Sequence, residues 1–295
     1  MIGNPRGDYR IRATAAGGQI RAMAAITTQT ARTAQLTHAA FPTAAAAMGR
    51  TLTAAVLLGF DVKHEAARVT VEVEGGGPLG RVVAEVRGRG LVRARVTSPQ
   101  TDPPRRSDGK LNVGHAVGSD GFLRVTRDMG GTALYQGQVA LVSGEIGEDL
   151  THYYLQSEQV ASAVSLGVLI GRDAMVAAAG GVVVQAMPAA NPDLVSGLSE
   201  AFTELAQISR QIDRGMSPES LLAKVLPTPI RWHGVEPVAW QCRCSQARSY
   251  ELLSSLPRAD IEALIAEGGA QITCNFCRSA YRVPAADLKG LAPGR

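Results

Sequence analysis

Cysteine is nearly absent from this chain. Four occur in 295 residues, all in the last fifth: Cys242 and Cys244 in QCRCSQARSY, Cys274 and Cys277 in ITCNFCRSAY. An oxidant that attacks thiols has only these two stretches to strike. Aromatic residues are scarce at 4%, so alanine and valine carry most of the apolar content. Long apolar runs are missing too: AMVAAAGGVVV and ASAVSLGVLI are too short and too broken by glycine to span a bilayer. MIGNPRGDYR lacks the charged start and apolar run of a secretory signal. Together these absences predict a soluble, intracellular chain with no membrane partner. Acidic residues are missing between Asp8 and Asp61, a stretch with five arginines. Organelle transit peptides share that bias, and so do alanine-rich amphipathic helices with their flanks.

What is present is ordinary for a globular protein, with 45% hydrophobic and 19% charged residues, and the length suits two domains. A net charge of +4 permits weak contact with nucleic acid but does not argue for it. YRIRAT (9–14) alternates as a strand. RAMAAITTQTARTAQL reads as a helix with Met23, Ile26 and Leu36 on one side. Pro42 opens a second helix, in which Met48, Leu52, Val56 and Leu57 recur at three- and four-residue steps and Gly59 ends the run. The period then changes. RVTVEVEG and RVVAEVRG alternate valine with charge around a GGPLG turn, a hairpin with one wet face. GLVRARVTSPQ, FLRVTRDM and QGQVALVSG add strands, and 101–121 reads as long loops. EDLTHYYLQSEQVASAVSLGVLI is a helix running into a strand, and AMVAAAGGVVVQAMP reads as a hairpin-like pair.

The predicted class is therefore α+β in three parts. Residues 1–188 form an N-terminal domain with an antiparallel sheet and helices. Residues 189–231 form a helical linker. Its stripe of Leu194, Leu198, Phe202, Leu205, Ile208 and Ile212 must bury against the N-terminal sheet. Ser217 and Pro218 restart a helix as N-cap and first residue. Residues 232–295 form a small cysteine-bearing domain, and Trp232 and Trp240 at its start should report its melting.

Two close cysteine pairs thirty residues apart suit a single zinc site with four thiolate ligands. Cys242, Cys244, Cys274 and Cys277 would be the ligands. Between them RSYELLSSL and RADIEALIAEGG read as short helices broken at Pro257, with Leu252, Leu253, Leu256, Ile261, Leu264 and Ile265 turned inward. So small a core often needs a metal staple. Structural zinc supplies on the order of 10–16 kcal/mol of apparent binding energy, which becomes folding energy. Arg243, Arg248, Arg278 and Arg282 crowd the cysteines, and positive neighbours favour thiolate, the form that peroxide or hypochlorous acid attacks. Spacing alone leaves two readings open, a purely structural zinc and an oxidant-responsive one. A third, a zinc module touching nucleic acid through those arginines, would show a steep salt dependence.

No catalytic residue emerges. GGGPLG joins two strands and lacks the Lys-Ser/Thr of a phosphate loop. Ser143, Glu145 and His152 lack a nucleophile elbow. The histidines at 38, 64, 115, 152 and 233 have no metal spacing, and His233 does not read as a further ligand.

These motifs resemble the heat shock protein 33 family of redox-regulated holdase chaperones. CRC at 242–244 followed by CNFC at 274–277 stands as in that family, with no ligand missing. PTAAAAMGRTLTAAVLLG, GGGPLGRVVAEV, GKLNVGHAVG, YQGQVALVSGEIGEDLTHYYLQSEQ and SAVSLGVLI resemble family segments in the family's order. The likeness includes the acid-free N-terminal stretch, which argues against a cleaved transit peptide. The resemblance implies a bacterial cytoplasmic protein that is not an enzyme. Reduced and holding one zinc ion, it would be inactive. Oxidative stress with unfolding conditions would form disulfides Cys242–Cys244 and Cys274–Cys277, release the zinc and loosen the zinc domain and linker. The chain would then form a homodimer, hold unfolding client proteins without ATP, and later pass them to ATP-driven foldases. The arginine-rich surroundings of the cysteines are a local departure, which bears on oxidant sensitivity and on the order of oxidation.

Overall fold

A computed structural model describes residues 7–290 apart from 63, 89, 132, 133 and 189. It divides into two compact units, 1–241 and 242–295. The boundary read from composition at 232 lies instead between Gln241 and Cys242, because the intervening residues are strands of the first unit's sheets.

The first unit is organised around one helix. β1 (Tyr9–Ala15) and β2 (Ile20–Ile26) lead into α1 (Thr28–His38) and α2 (Pro42–Leu58). Every residue of α2 except Pro42 and Arg50 is buried. A helix apolar on all sides needs cover on all sides, and two sheets supply it. One is built from β3 (Arg68–Glu74), β4 (Val82–Arg87), β5 (Leu91–Val96), β6 (Phe122–Asp128) and β7 (Leu134–Ala140), with a short helix α3 (Val113–Val117) before β6. The alternation read in RVTVEVEG is real: Val69, Val71 and Val73 are buried, and Arg68, Thr70, Glu72 and Glu74, which alternate with them, are not. After α4 (Ile146–Gln156), β8 (Ser162–Ile170) and β9 (Val176–Ala186) join β1 and β2 in the second sheet.

Two expectations change here. Met23 and Ile26, expected on a helix, lie on β2, which pairs with β1 on one side and β9 on the other. A strand covered on both faces loses its alternation, so its period does not distinguish it from a helix. AMVAAAGGVVVQAMP is not a hairpin but contains the single strand β9, paired with β8 from Val176 to Gln185 and with β2 from Gly180 to Ala186. Gly180 and Gly181 sit mid-strand because neighbours approach closely. A Cβ on Gly180 would lie 2.5 Å from the Ala25 carbonyl oxygen, and one on Gly181 2.6 Å from Leu166 Cδ2.

The linker is α5 (Pro192–Ala201), a 3-10 turn (Phe202–Leu205), α6 (Ile208–Asp213) and α7 (Pro218–Val225). Ser217 caps α7, its side chain accepting from Ser220 N. Leu205, Ile208 and Ile212 are buried with Leu221, Leu222 and Val225 against Ile11, Ile20, Val182 and Val184, so the sheet has α2 on one face and the linker on the other. The Leu198 side chain lies outside the described residues. β10 (Arg231–Pro237) then pairs with β1, and β11 (Ala239–Trp240) runs parallel to β5. The sheet orders are β10-β1-β2-β9-β8 and β11-β5-β4-β3-β6-β7. Trp232 packs beside the linker helices and Trp240 beside the central core, so both tryptophans report on the first unit, not on the cysteine module. Among the described residues no helix is long and apolar enough to cross a membrane.

The second unit holds α8 (Gln246–Ser254), α9 (Arg258–Ala266), the hairpin β12 (Gly269–Thr273) and β13 (Ala280–Pro284), and α10 (Ala285–Lys289). The break at Pro257 is as read. The inward set is narrower: Leu253 and Ile261 are buried and Leu264 and Ile265 pack beside them, but Leu252 is 60% and Leu256 36% exposed.

Candidate metal centre

Two local structures present the sulfurs. Cys242 and Cys244 lie on extended chain just before α8, whose Ser245 side chain accepts from Arg248 N and so fixes where the helix begins. Cys274 and Cys277 occupy the β12–β13 turn. There Arg278 N donates to Cys274 O at 2.9 Å and Cys274 N to Ser279 O at 2.9 Å, with Arg278 in the left-handed region (φ 62°). The two pieces are tied by Gln246 Nε2 donating to Arg282 O at 2.8 Å and Tyr250 Oη donating to Asp287 Oδ2 at 2.6 Å.

All four sulfurs lie within 4.8 Å of one another. Cys242 Sγ is 3.7 Å from Cys274 Sγ, and Cys244 Sγ is 3.1 Å from Cys277 Sγ. Tetrahedral zinc with Zn–S bonds of about 2.3 Å wants sulfurs roughly 3.8 Å apart. Four soft thiolate donors at this spacing fit zinc and match no calcium or magnesium site, which take oxygen. The sequence-predicted ligands Cys242, Cys244, Cys274 and Cys277 thus come together.

The sulfurs are not equivalent. Burial pushes Cys244 up to about 12 and also raises Cys274, although Phe276 and Cys277 backbone N–H groups pull Cys274 the other way. Burial acts against Cys277 as well, but hydrogen bonds from the Ser279 side chain and backbone and from its sulfur neighbours bring it down to about 6. One proton is thus lost easily and others are held, and binding a metal must displace those that remain. Burial and hydrogen bonding are the largest causes of these shifts, and the arginine neighbours, expected to favour thiolate, are not among them. Two further groups were missed by sequence reasoning. Tyr281 Oη donates to Cys244 Sγ at 3.0 Å, and Ser279 Oγ lies 3.3 Å from Cys277 Sγ. Only strand alternation after the CNFC turn could have flagged Tyr281, and that signal is weak.

The other sequence candidates do not converge. His233 Nε2 lies 2.8 Å from Thr14 Oγ1, across the β1–β10 pair. Ser143 Oγ donates to Glu148 at 2.7 Å, Glu145 pairs with Arg50, and among the described residues no hydrogen bond joins either to His152.

Comparison with known proteins places the whole chain. The family model described as Hsp33 protein matches residues 8–284. The chain belongs to the Hsp33 family. It is 42% identical to the 33 kDa chaperonin of Staphylococcus carnosus over 286 residues, covering 96% of this chain and 97% of that one. It is 41% identical to the 33 kDa chaperonin of Geobacillus kaustophilus over 287 residues, 97% of each. The crystal structure of the 33 kDa chaperonin (heat shock protein 33 homolog) of Thermotoga maritima superposes with a TM-score of 0.87 at 29% identity, covering 96% of this chain and 97% of that one. The α+β architecture with antiparallel sheets and a C-terminal cysteine cluster is thus that of an Hsp33 family chaperone.

Proposed function

We propose that this chain is a redox-regulated, ATP-independent holdase of the cytoplasm. The observation that carries the reading is the cysteine cluster: four sulfurs within 4.8 Å in a unit whose buried core is Leu253, Ile261, Val283 and Leu288. In the reduced state Cys242, Cys244, Cys274 and Cys277 would hold one zinc ion, which as a structural ion would tie the extended CRC segment to the hairpin turn. Oxidation takes two electrons from each cysteine pair. One hydrogen peroxide converts the thiols of Cys242 and Cys244 to a disulfide and two waters, and a second does the same for Cys274 and Cys277. All four thiols are free, and the sulfur approaches of 3.7 and 3.1 Å join cysteines of different pairs, so making Cys242–Cys244 and Cys274–Cys277 means bringing the sulfurs of each pair to the ~2.05 Å of an S–S bond. With both disulfides formed the four sulfurs no longer serve as thiolate ligands, and a module with so small a core loses its staple.

The linker supports the second half of the reading. Its apolar stripe and the sheet face carrying Ile11, Ile20, Val182 and Val184 cover each other. Loss of order in α5–α7 would expose both at once, and a large apolar patch is what binds unfolding clients or a second copy in a homodimer. Clients would then pass to ATP-driven foldases when reducing conditions return. The reading is tested by treating zinc-loaded protein with hypochlorous acid, or peroxide plus mild heat, while following zinc release and the light scattering of a thermally unfolding client. Zinc should leave and scattering should fall together. Retained zinc, or zinc loss without suppression of aggregation, would refute the switch.

A further inference from the structure

The β12–β13 hairpin brings two hydroxyl groups to the sulfurs in addition to its own two ligands. Tyr281 faces Ile272 across the hairpin, and that register carries its phenol to Cys244, where Oη donates to Sγ at 3.0 Å. Ser279 precedes β13, and the Cys277 thiol donates to its Oγ at 3.3 Å. Each hydroxyl serves one sulfur, and the two sulfurs come from different cysteine pairs. A serine hydroxyl rotates freely, so it accepts from a thiol and donates to a thiolate. Groups that hydrogen-bond to metal ligands from outside orient and tune them.

We propose that Tyr281 and Ser279 are positioning residues that damp the nucleophilicity of Cys244 and Cys277, respectively, in the zinc-bound state. The inference rests on the zinc assignment above. A thiolate attacks an electrophile with a sulfur lone pair. An O–H group aimed at that sulfur draws electron density from it and must be given up, at least in part, as the new bond forms. The hairpin would thereby restrain one sulfur of each pair, and the threshold for attack would be set partly by residues that never touch the metal.

The test uses the full-length, zinc-loaded protein, with zinc content measured on the same sample. Iodoacetamide alkylates each sulfur by forming one S–C bond and expelling iodide, and mass spectrometry resolves the rate at each of the four cysteines. Tyr281→Phe should speed Cys244 about fivefold, the rate equivalent of one ordinary hydrogen bond, and leave Cys274 unchanged. Ser279→Ala should do the same at Cys277. A general loosening of the module would instead raise all four rates together; that result, or unchanged rates, overturns the proposal. If Tyr281→Phe fails to fold with zinc, Ser279→Ala decides alone, because its effect is predicted at a different sulfur. An unaltered protein that takes up no zinc would refute the zinc assignment itself and this inference with it.

Discussion

Arg10 is a fully buried guanidinium held by groups distant in the chain. It donates from Nε and Nη2 to Glu236 Oε2 at 3.0 and 2.6 Å, and from Nη1 to the Val56 carbonyl at 2.8 Å, with its Cζ 4.5 Å from the Phe60 ring centroid. Glu236 comes from β10, the strand that follows the linker, so the pair pins that strand to β1. Removing one partner of a buried pair costs roughly 3–5 kcal/mol where no other group compensates the charge. The Glu236 side chain is 36% exposed, and water partly replaces it, so Glu236→Ala should destabilise the first unit by about 2 kcal/mol in urea titration. A change under about 0.5 kcal/mol, the scatter of ordinary surface substitutions, would mean that water and the other groups around Arg10 compensate its charge. The cysteines allow a second prediction at this scale. The raised Cys244 and Cys274 thiols are protonated at pH 7 and must lose their protons to bind metal, so zinc affinity should rise with pH, by at least about 100-fold per unit from these two groups. Competition against a chelator at pH 6.5 and 7.5 measures it, and a flat profile would contradict the protonated state. The two sites differ in how visible they were. The cysteines could be read directly because thiolate spacing is itself the chemistry of the site. The Arg10–Glu236 pair could not, since its members are 226 residues apart and an arginine among alternating residues reads as a wet face.

Among elements, β9 carries the strictest packing. On one side it hydrogen-bonds to β2, on the other to β8, and α6 lies across it. A Cβ at Gly180 would meet Ile212 Cδ1 at 2.5 Å as well as the Ala25 carbonyl oxygen. The isoleucine can turn away, but the backbone of β2 cannot move without disturbing its register with β1. Gly180→Ala should therefore cost about 1–3 kcal/mol, the usual range for overpacking, read as a lower urea midpoint with unchanged slope. A neutral substitution would show that α6 rides loosely on the sheet. This element also shows why some of the fold was illegible. A Gly-Gly pair inside an apolar run is the usual signal of a turn; here it marks an approach by the linker and by a neighbouring strand, information that lies far away in sequence. β2 was hidden for a related reason, being buried on both faces. Where one face stays wet, as in β3, or where a helix start carries its own chemistry, as at Ser217, the local sequence was sufficient.

At the scale of the molecule the two units differ in what holds them. The first has a continuous apolar core reaching from α2 to both sheets, with a second cluster under the linker helices. Among the described residues the second has four buried apolar side chains and a group of sulfurs. A bound ion that the unfolded state cannot hold stabilises only the part of the chain whose folding builds its site. Chelation under reducing conditions should therefore act unequally. Amide hydrogen exchange in α8, α9, β12 and β13 should rise by orders of magnitude, because zinc supplies on the order of 10–16 kcal/mol to such sites and the remaining core is too small to replace it. Exchange in β2 and β9, whose backbone groups are paired on both sides, should stay slow. Emission from Trp232 and Trp240 should stay near its reduced value as well, since both rings pack in the first unit. Chelation would thereby separate the proposed staple from the proposed switch, because it removes the metal without making a disulfide. If the module keeps its protection without metal, its small core suffices and the cysteines are not a structural staple. If β2 and β9 lose protection together with the module, stability is shared across the whole chain, and the linker is released by metal loss alone rather than by oxidation joined to unfolding conditions.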